Sequence, residues 1–206
     1  MTEKQLQRKE RERLQHRQEI LNHALDLFSK YGFNNVSMQQ IAETSEFAVG
    51  TLYNFFTSKE ILFEELINRT GEHVVSEFME ILNRPVSEKE SLLEFIRHMP
   101  NIQEKFGKII KLYATEVGTF GSKFSNIREK SKIHEILDIK LTHIISQGIQ
   151  KGIFRAVDPE IAAKSLSSIL ETIIFETTGR CNKETVTDMF KKVEQLFLEG
   201  LLLPKE

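Results

Sequence analysis

"AVGTLYNFFTSKEILFEEL", residues 48–66, sets Gly50 and Tyr53 inside a stretch whose apolar residues otherwise recur at helical spacing. Leu52 and Phe56 stand four residues apart, as do Leu62 and Leu66, so each pair shares one face of a helix. Between the pairs, Thr57-Ser58-Lys59-Glu60 has the spacing of a capping box and predicts that one short helix ends near Phe56 and a longer one begins. A helix interior loses about 1 kcal/mol at a glycine, so Gly50 needs a reason other than helix formation. An outward-facing tyrosine needs one too.

Toward the N-terminus, Ser37-Met38-Gln39-Gln40 is a second capping box. It opens a short helix that buries Met38, Ile41 and Ala42. Before it, Ile20, Leu21, Ala24, Leu25, Leu27 and Phe28 form a broad apolar stripe that closes at Tyr31 with Gly32 as C-terminal cap. Two short helices joined by a tight turn and braced by a longer one make a helix-turn-helix, which lays its second helix in a DNA major groove. Leu52 and Phe56 then face the head's core, while Val49, Thr51, Tyr53 and Asn54 point outward or along its edge.

Residues 13–66 resemble the DNA-binding head of the TetR family of transcriptional regulators. The resemblance is carried by "IA" at 41–42, "GTLYNFF" at 50–56 and "SKEILF" at 58–63. It implies that Gly50 clears a path to the phosphate backbone, that Tyr53 offers its hydroxyl to a phosphate, and that Lys59 adds charge. Ser37 resembles a further phosphate contact. Gln39, Val49, Thr51 and Asn54 occupy positions that reach base edges, where an amide pairs with adenine and a methyl packs on thymine. This sequence departs from the family where Glu46 replaces the common glycine, Ala48 the common serine and Phe55 the common histidine or tyrosine. Ala48, on the DNA side, therefore brings no capping hydroxyl and no phosphate contact of its own, and Phe55 is expected to pack on the first helix.

Beyond the head, apolar residues keep the three- and four-residue spacing, and only 4 prolines and 10 glycines interrupt 206 residues. The pattern predicts an all-α chain of about nine helices. One starts at Ser87 and is stopped by Pro100, the next covers 102–117, another runs over 131–151, and Asp158-Pro159-Glu160 is a strong start signal for the eighth. We read residues 1–67 as a basic arm and DNA-binding domain and 68–206 as a helical ligand-sensing and dimerisation domain. Wide apolar faces on the last two helices, including Ile169, Ile173, Met189, Val193 and Leu196, predict a homodimer surface. Phe78, Phe95, Met99, Phe106, Ile110, Tyr113, Phe120 and Phe124 supply enough apolar surface to line a pocket for a small apolar effector.

Composition sets the outer limits. Hydrophobic residues at 40% and charged residues at 28% are those of a folded globular chain, and the net charge of −2 argues against a general polyanion binder. The basic charge is local: residues 1–18 hold Lys4, Arg8, Lys9, Arg11, Arg13 and Arg17 against Glu3, Glu10 and Glu12. A single cysteine, Cys181, allows no internal disulfide, and the chain shows neither a signal peptide nor an apolar run of about 20 residues. A cytoplasmic protein without membrane contact is expected. The six histidines lack metal-ligand spacing, and no nucleophile motif or phosphate loop is present, so no catalytic residue, metal or cofactor is expected. The expected function is a DNA-binding regulator, by resemblance a repressor, that binds double-stranded palindromic DNA and is released by an effector. The alternative is a helical ligand-binding or protein-interaction module with a degenerate head. Selection of DNA fragments by the protein separates the two.

Overall fold

The computed structural model describes residues 3–116 and 133–201, which are carried by eight α-helices. These are α1 (Glu3–Tyr31), α2 (Met38–Thr44), α3 (Val49–Phe55), α4 (Lys59–Leu82), α5 (Glu88–Glu116), α6 (Ile133–Gln150), α7 (Pro159–Thr177) and α8 (Lys183–Leu201). The local signals act where the chemistry places them. Gly32 takes φ +80 and ends α1, and Ser37 and Gln40 close a reciprocal capping box on α2. Asp158 accepts from the amides of Glu160 and Ile161 at 3.0 Å. At α4 the cap is Ser58, which accepts from Ile61 N, one residue later than the box starting at Thr57 predicts.

Eight helices among the described residues, where about nine were expected, reflect one misread residue. Pro100 does not end a helix but lies buried inside α5, which runs unbroken through 29 residues. Proline removes one hydrogen bond and crowds the preceding turn. Here Ile96 and Met99 before it and Ile102 and Ile109 after it all bury on a continuous stripe, and that packing outweighs the local cost.

Two apolar clusters organise the chain. The first gathers α1 to α3 and the start of α4 around Phe28, Phe33, Phe56 and Phe63, and takes in Ile109 and Leu112 from α5. The second gathers the rest of α4 and α5 with α6, α7 and α8 around Phe78, Phe95, Phe154 and Phe190. Helices α4 and α5 thus contribute to both, and Phe106 packs against each. An ion pair of 2.6 Å between Lys108 of α5 and Asp26 of α1 joins the same seam at the surface. Among the described residues no helix is long and apolar enough to cross a membrane.

Candidate nucleic-acid interface

The head presents a groove lined by the loop before α2 and the starts of α2, α3 and α4. Ser37, Gln39, Val49, Tyr53 and Lys59 all border it, with Asn34, Thr57 and Ser58 beside them. Five residues from three separate sequence signals therefore meet on one surface. Asn34 carries no motif of its own, and Thr57 reaches the groove although the capping role falls to Ser58; only the chain's turn into each helix brings them there.

Each predicted side chain has a defined setting. Tyr53 is 48% exposed, far from the buried aromatic it would be in a simple core helix. Leu52 and Phe56, on the opposite face, are fully buried and anchor α3. Val49 and Asn54 are exposed and Thr51 half-buried. A Cβ built on Gly50 meets nothing within 4 Å, so the chain's own packing does not require a glycine there. Gln39 is exposed and its amide donates to Glu43 Oε1 at 3.0 Å. Ser37 spends its hydroxyl on Gln40, accepting from the amide at 3.2 Å and donating to Oε1 at 3.1 Å.

The family departures have physical consequences. Ala48 stands at the N-cap of α3 and provides no side-chain hydrogen bond. Glu46 holds φ +59, a left-handed conformation that glycine adopts freely and other residues resist. The turn is nonetheless held: Ser45 Oγ is buried and donates to Ile41 O at 2.6 Å, and His16 meets Phe47 edge-on with centroids 5.2 Å apart.

Two expectations about charge change. Lys59 does not simply extend into the groove: its Nζ donates to the carbonyls of Phe33 at 2.8 Å and Val36 at 2.7 Å, and lies 4.3 Å from the Phe33 ring centroid. It closes the loop that forms the groove wall, because two carbonyls left over by that loop converge on its ammonium. Arg17, counted with the basic arm, is turned inward to Glu65. The rest of the arm is the first half of α1, an exposed helix in which Arg8 pairs with Glu12 at 2.8 Å and Arg13 with Glu10 at 3.6 Å.

Residues 20–66 match the profile described as bacterial regulatory proteins, tetR family. The chain belongs to the TetR family. This regulator is 22% identical over 177 residues to the uncharacterized HTH-type transcriptional regulator YhgD of Bacillus subtilis, covering 84% of this chain and 91% of YhgD. It is 25% identical over 142 residues to the HTH-type transcriptional repressor KstR2 of Mycobacterium tuberculosis, covering 68% and 69%. Its fold matches a crystal structure from Syntrophomonas wolfei, described as that of a TetR-family transcriptional regulator, with a TM-score of 0.75 at 24% identity over 94% of this chain and all of the other. DNA binding and transcription regulation are thus the activity of this TetR-family protein.

A cavity of about 180 Å³ opens in the second cluster next to the seam with the head. Phe78, Phe95, Met99, Ile110 and Tyr113 border it, and Ile67 and Ile109 link its wall to the head's core. Phe106 does not border it, since it is drawn into the packing between the two clusters. Phe120 and Phe124 lie outside the described residues. On the last two helices, Leu196 is 70% exposed and Ile169, Ile173 and Met189 are half-buried. Val193 is only 6% exposed, because it shares the inward face of α8 with Val186 and Phe190. Among the described residues no group of three or more His, Cys, Asp or Glu side chains is placed to hold a metal.

Proposed function

We propose that this regulator is a homodimeric repressor that grips a palindromic operator with α3 of each copy in successive major grooves. Residues 1–67 act as the reading head and 68–206 as the sensing and dimerising body. The observation that carries this reading is the groove itself, where a 48% exposed tyrosine, a capping serine and a lysine surround residues with base-reading chemistry. Tyr53, Gly50 and Ser37 fix the head on phosphates, with Lys59 shaping the groove wall. Gln39, Val49, Thr51 and Asn54 read bases. Gly50 fits because a partner's backbone, rather than this chain's packing, is what its missing side chain accommodates. The repressor assignment is supported by the similarity to KstR2, a transcriptional repressor.

Leu196, Ile169, Ile173 and Met189 offer the dimer an apolar patch, and a two-fold dimer sets its half-sites about 34–36 Å apart. An apolar effector enters the cavity. At about 180 Å³ the cavity is smaller than the ~300–1,000 Å³ of most ligand sites, so a larger occupant displaces lining side chains. Because the cavity wall shares Ile67 and Ile109 with the head's core, such displacement reaches α1 and α4 and alters half-site spacing.

Selection of bound duplexes from a random pool, followed by titration at two salt concentrations, tests the reading. Palindromic fragments are expected, with affinity falling steeply as salt rises. Tyr53→Phe should weaken all duplexes alike, whereas Gln39→Ala should relax preference at particular base pairs, by about 1–3 kcal/mol of discrimination. A protein that enriches no sequence at low salt does not read DNA as proposed.

A further inference from the structure

Seven residues make a helix too short to stand alone, and α3 has little of its own to hold it. Its start lacks a side-chain cap and Leu52 is its one buried residue. Its end is gripped from α1. The Arg17 Nη1 donates to the carbonyl of Phe55, the last residue of α3, at 3.0 Å. The same guanidinium donates through Nε to Glu65 Oε1 at 2.6 Å and through Nη2 to the other carboxylate oxygen. Its Cζ lies 4.4 Å from the centroid of the fully buried Phe56 ring. One planar group of α1 thus meets both the end of α3 and the second turn of α4.

Glu65 is itself fixed from a second side. Arg69 Nε lies 3.2 Å from its Oε1, and Arg69 Nη1 donates to Gln18 of α1 at 2.8 Å. The Arg17 and Glu65 side chains are each 21% exposed, which screens the pair less than an open surface contact. Neither residue borders the groove. Only an arginine supplies a bidentate fork, a third donor and a flat face for the ring at once.

We propose that Arg17 is a positioning residue for DNA reading: held by Glu65, it fixes the end of α3 and so the angle at which the base-reading residues are presented, without touching DNA. The proposal rests on the reading that α3 carries base contacts. It predicts that the head loses discrimination when the clamp is cut, even though no DNA-facing side chain changes.

The test uses the full chain and a duplex that the wild type selects from a random pool. Arg17→Lys, Arg17→Gln and Glu65→Gln should each weaken binding to that duplex by roughly ten- to hundredfold. Binding to unrelated DNA and the slope of affinity against salt should stay as in the wild type. Glu65→Gln decides the mechanism, since it removes a negative charge. Were Arg17 a phosphate contact, Glu65→Gln would release it and tighten binding to all DNA, and Arg17→Gln would flatten the salt slope by about 1 for each site lost. Either result overturns the proposal. So does unchanged affinity in variants that merely melt at lower temperature by circular dichroism, with Arg17→Lys, which keeps the charge, as the mildest of the three. Failure of the wild type to select any duplex would bring down α3 as the reader and the proposal with it, whereas wild-type selection with undiminished variants overturns the positioning role alone.

Discussion

The two apolar cores of this regulator are both built on phenylalanine and differ in what they leave empty. In the head, Phe28, Phe33 and Phe63 meet tilted or edge-on, with centroids 5.3, 5.9 and 4.9 Å apart, and none is more than 1% exposed. In the body, Phe78 meets Phe95 edge-on at 4.9 Å, yet the same pair borders the cavity. A filled core has low compressibility and holds its surface fixed, while a void lets its lining move. The head is thereby suited to present groove residues at one spacing, and the body to change shape around an occupant. Gly32, Ser37 and the Lys59 contacts add to the head's stiffness through hydrogen bonds that need no distant helix of the body.

The sharpest way to break this contrast is to delete one ring from each core. Phe63→Ala should cost about 3–5 kcal/mol in urea unfolding, enough to unfold much of the head. Phe95→Ala should cost less, because one side of its ring already faces the cavity and forgoes contacts. Equal losses would show that the cavity is not a real difference in packing. Adding bulk should separate the cores by sign. Ala24→Leu, at a fully buried position of the head, should destabilise by about 1–3 kcal/mol. Val74→Leu, on the cavity wall, should stabilise by about 0.5–2 kcal/mol in the same assay. The smallest expected effect sharpens the view of the head alone. Glu46→Gly should raise its stability by about 1 kcal/mol by relieving the positive φ, read as a higher melting temperature.

Much of the head was legible because its signals are local. A capping box spans four residues and an i, i+4 pair spans one turn, so Ser37, Gln40, Leu52 and Phe56 could be assigned roles without knowledge of the rest. Exposure of Tyr53 followed from the same arithmetic. Pro100 was misread because a local stop rule competed with burial along a whole helix, and burial is a tertiary quantity. Val193 was misplaced on the dimer surface for a related reason: periodicity shows that a face is apolar and does not show which chain covers it.

The remainder of the site depended on residues far apart in sequence. Lys59 meets carbonyls 26 and 23 positions away, and Arg17 meets a carboxylate 48 positions away. Long charged side chains reach partners in any direction, so spacing does not predict these pairs. The amino-acid sequence by itself determined that the chain is helical, where its short helices start, and which faces of α2 and α3 are apolar, since hydrogen bonding and periodicity act within a few residues. Only the tertiary structure decided that Lys59 closes the groove wall, that Arg17 clamps α3, and that the body keeps a cavity beside the head. Those outcomes depend on how several helices fill space together, and filling space is a property of the packed chain.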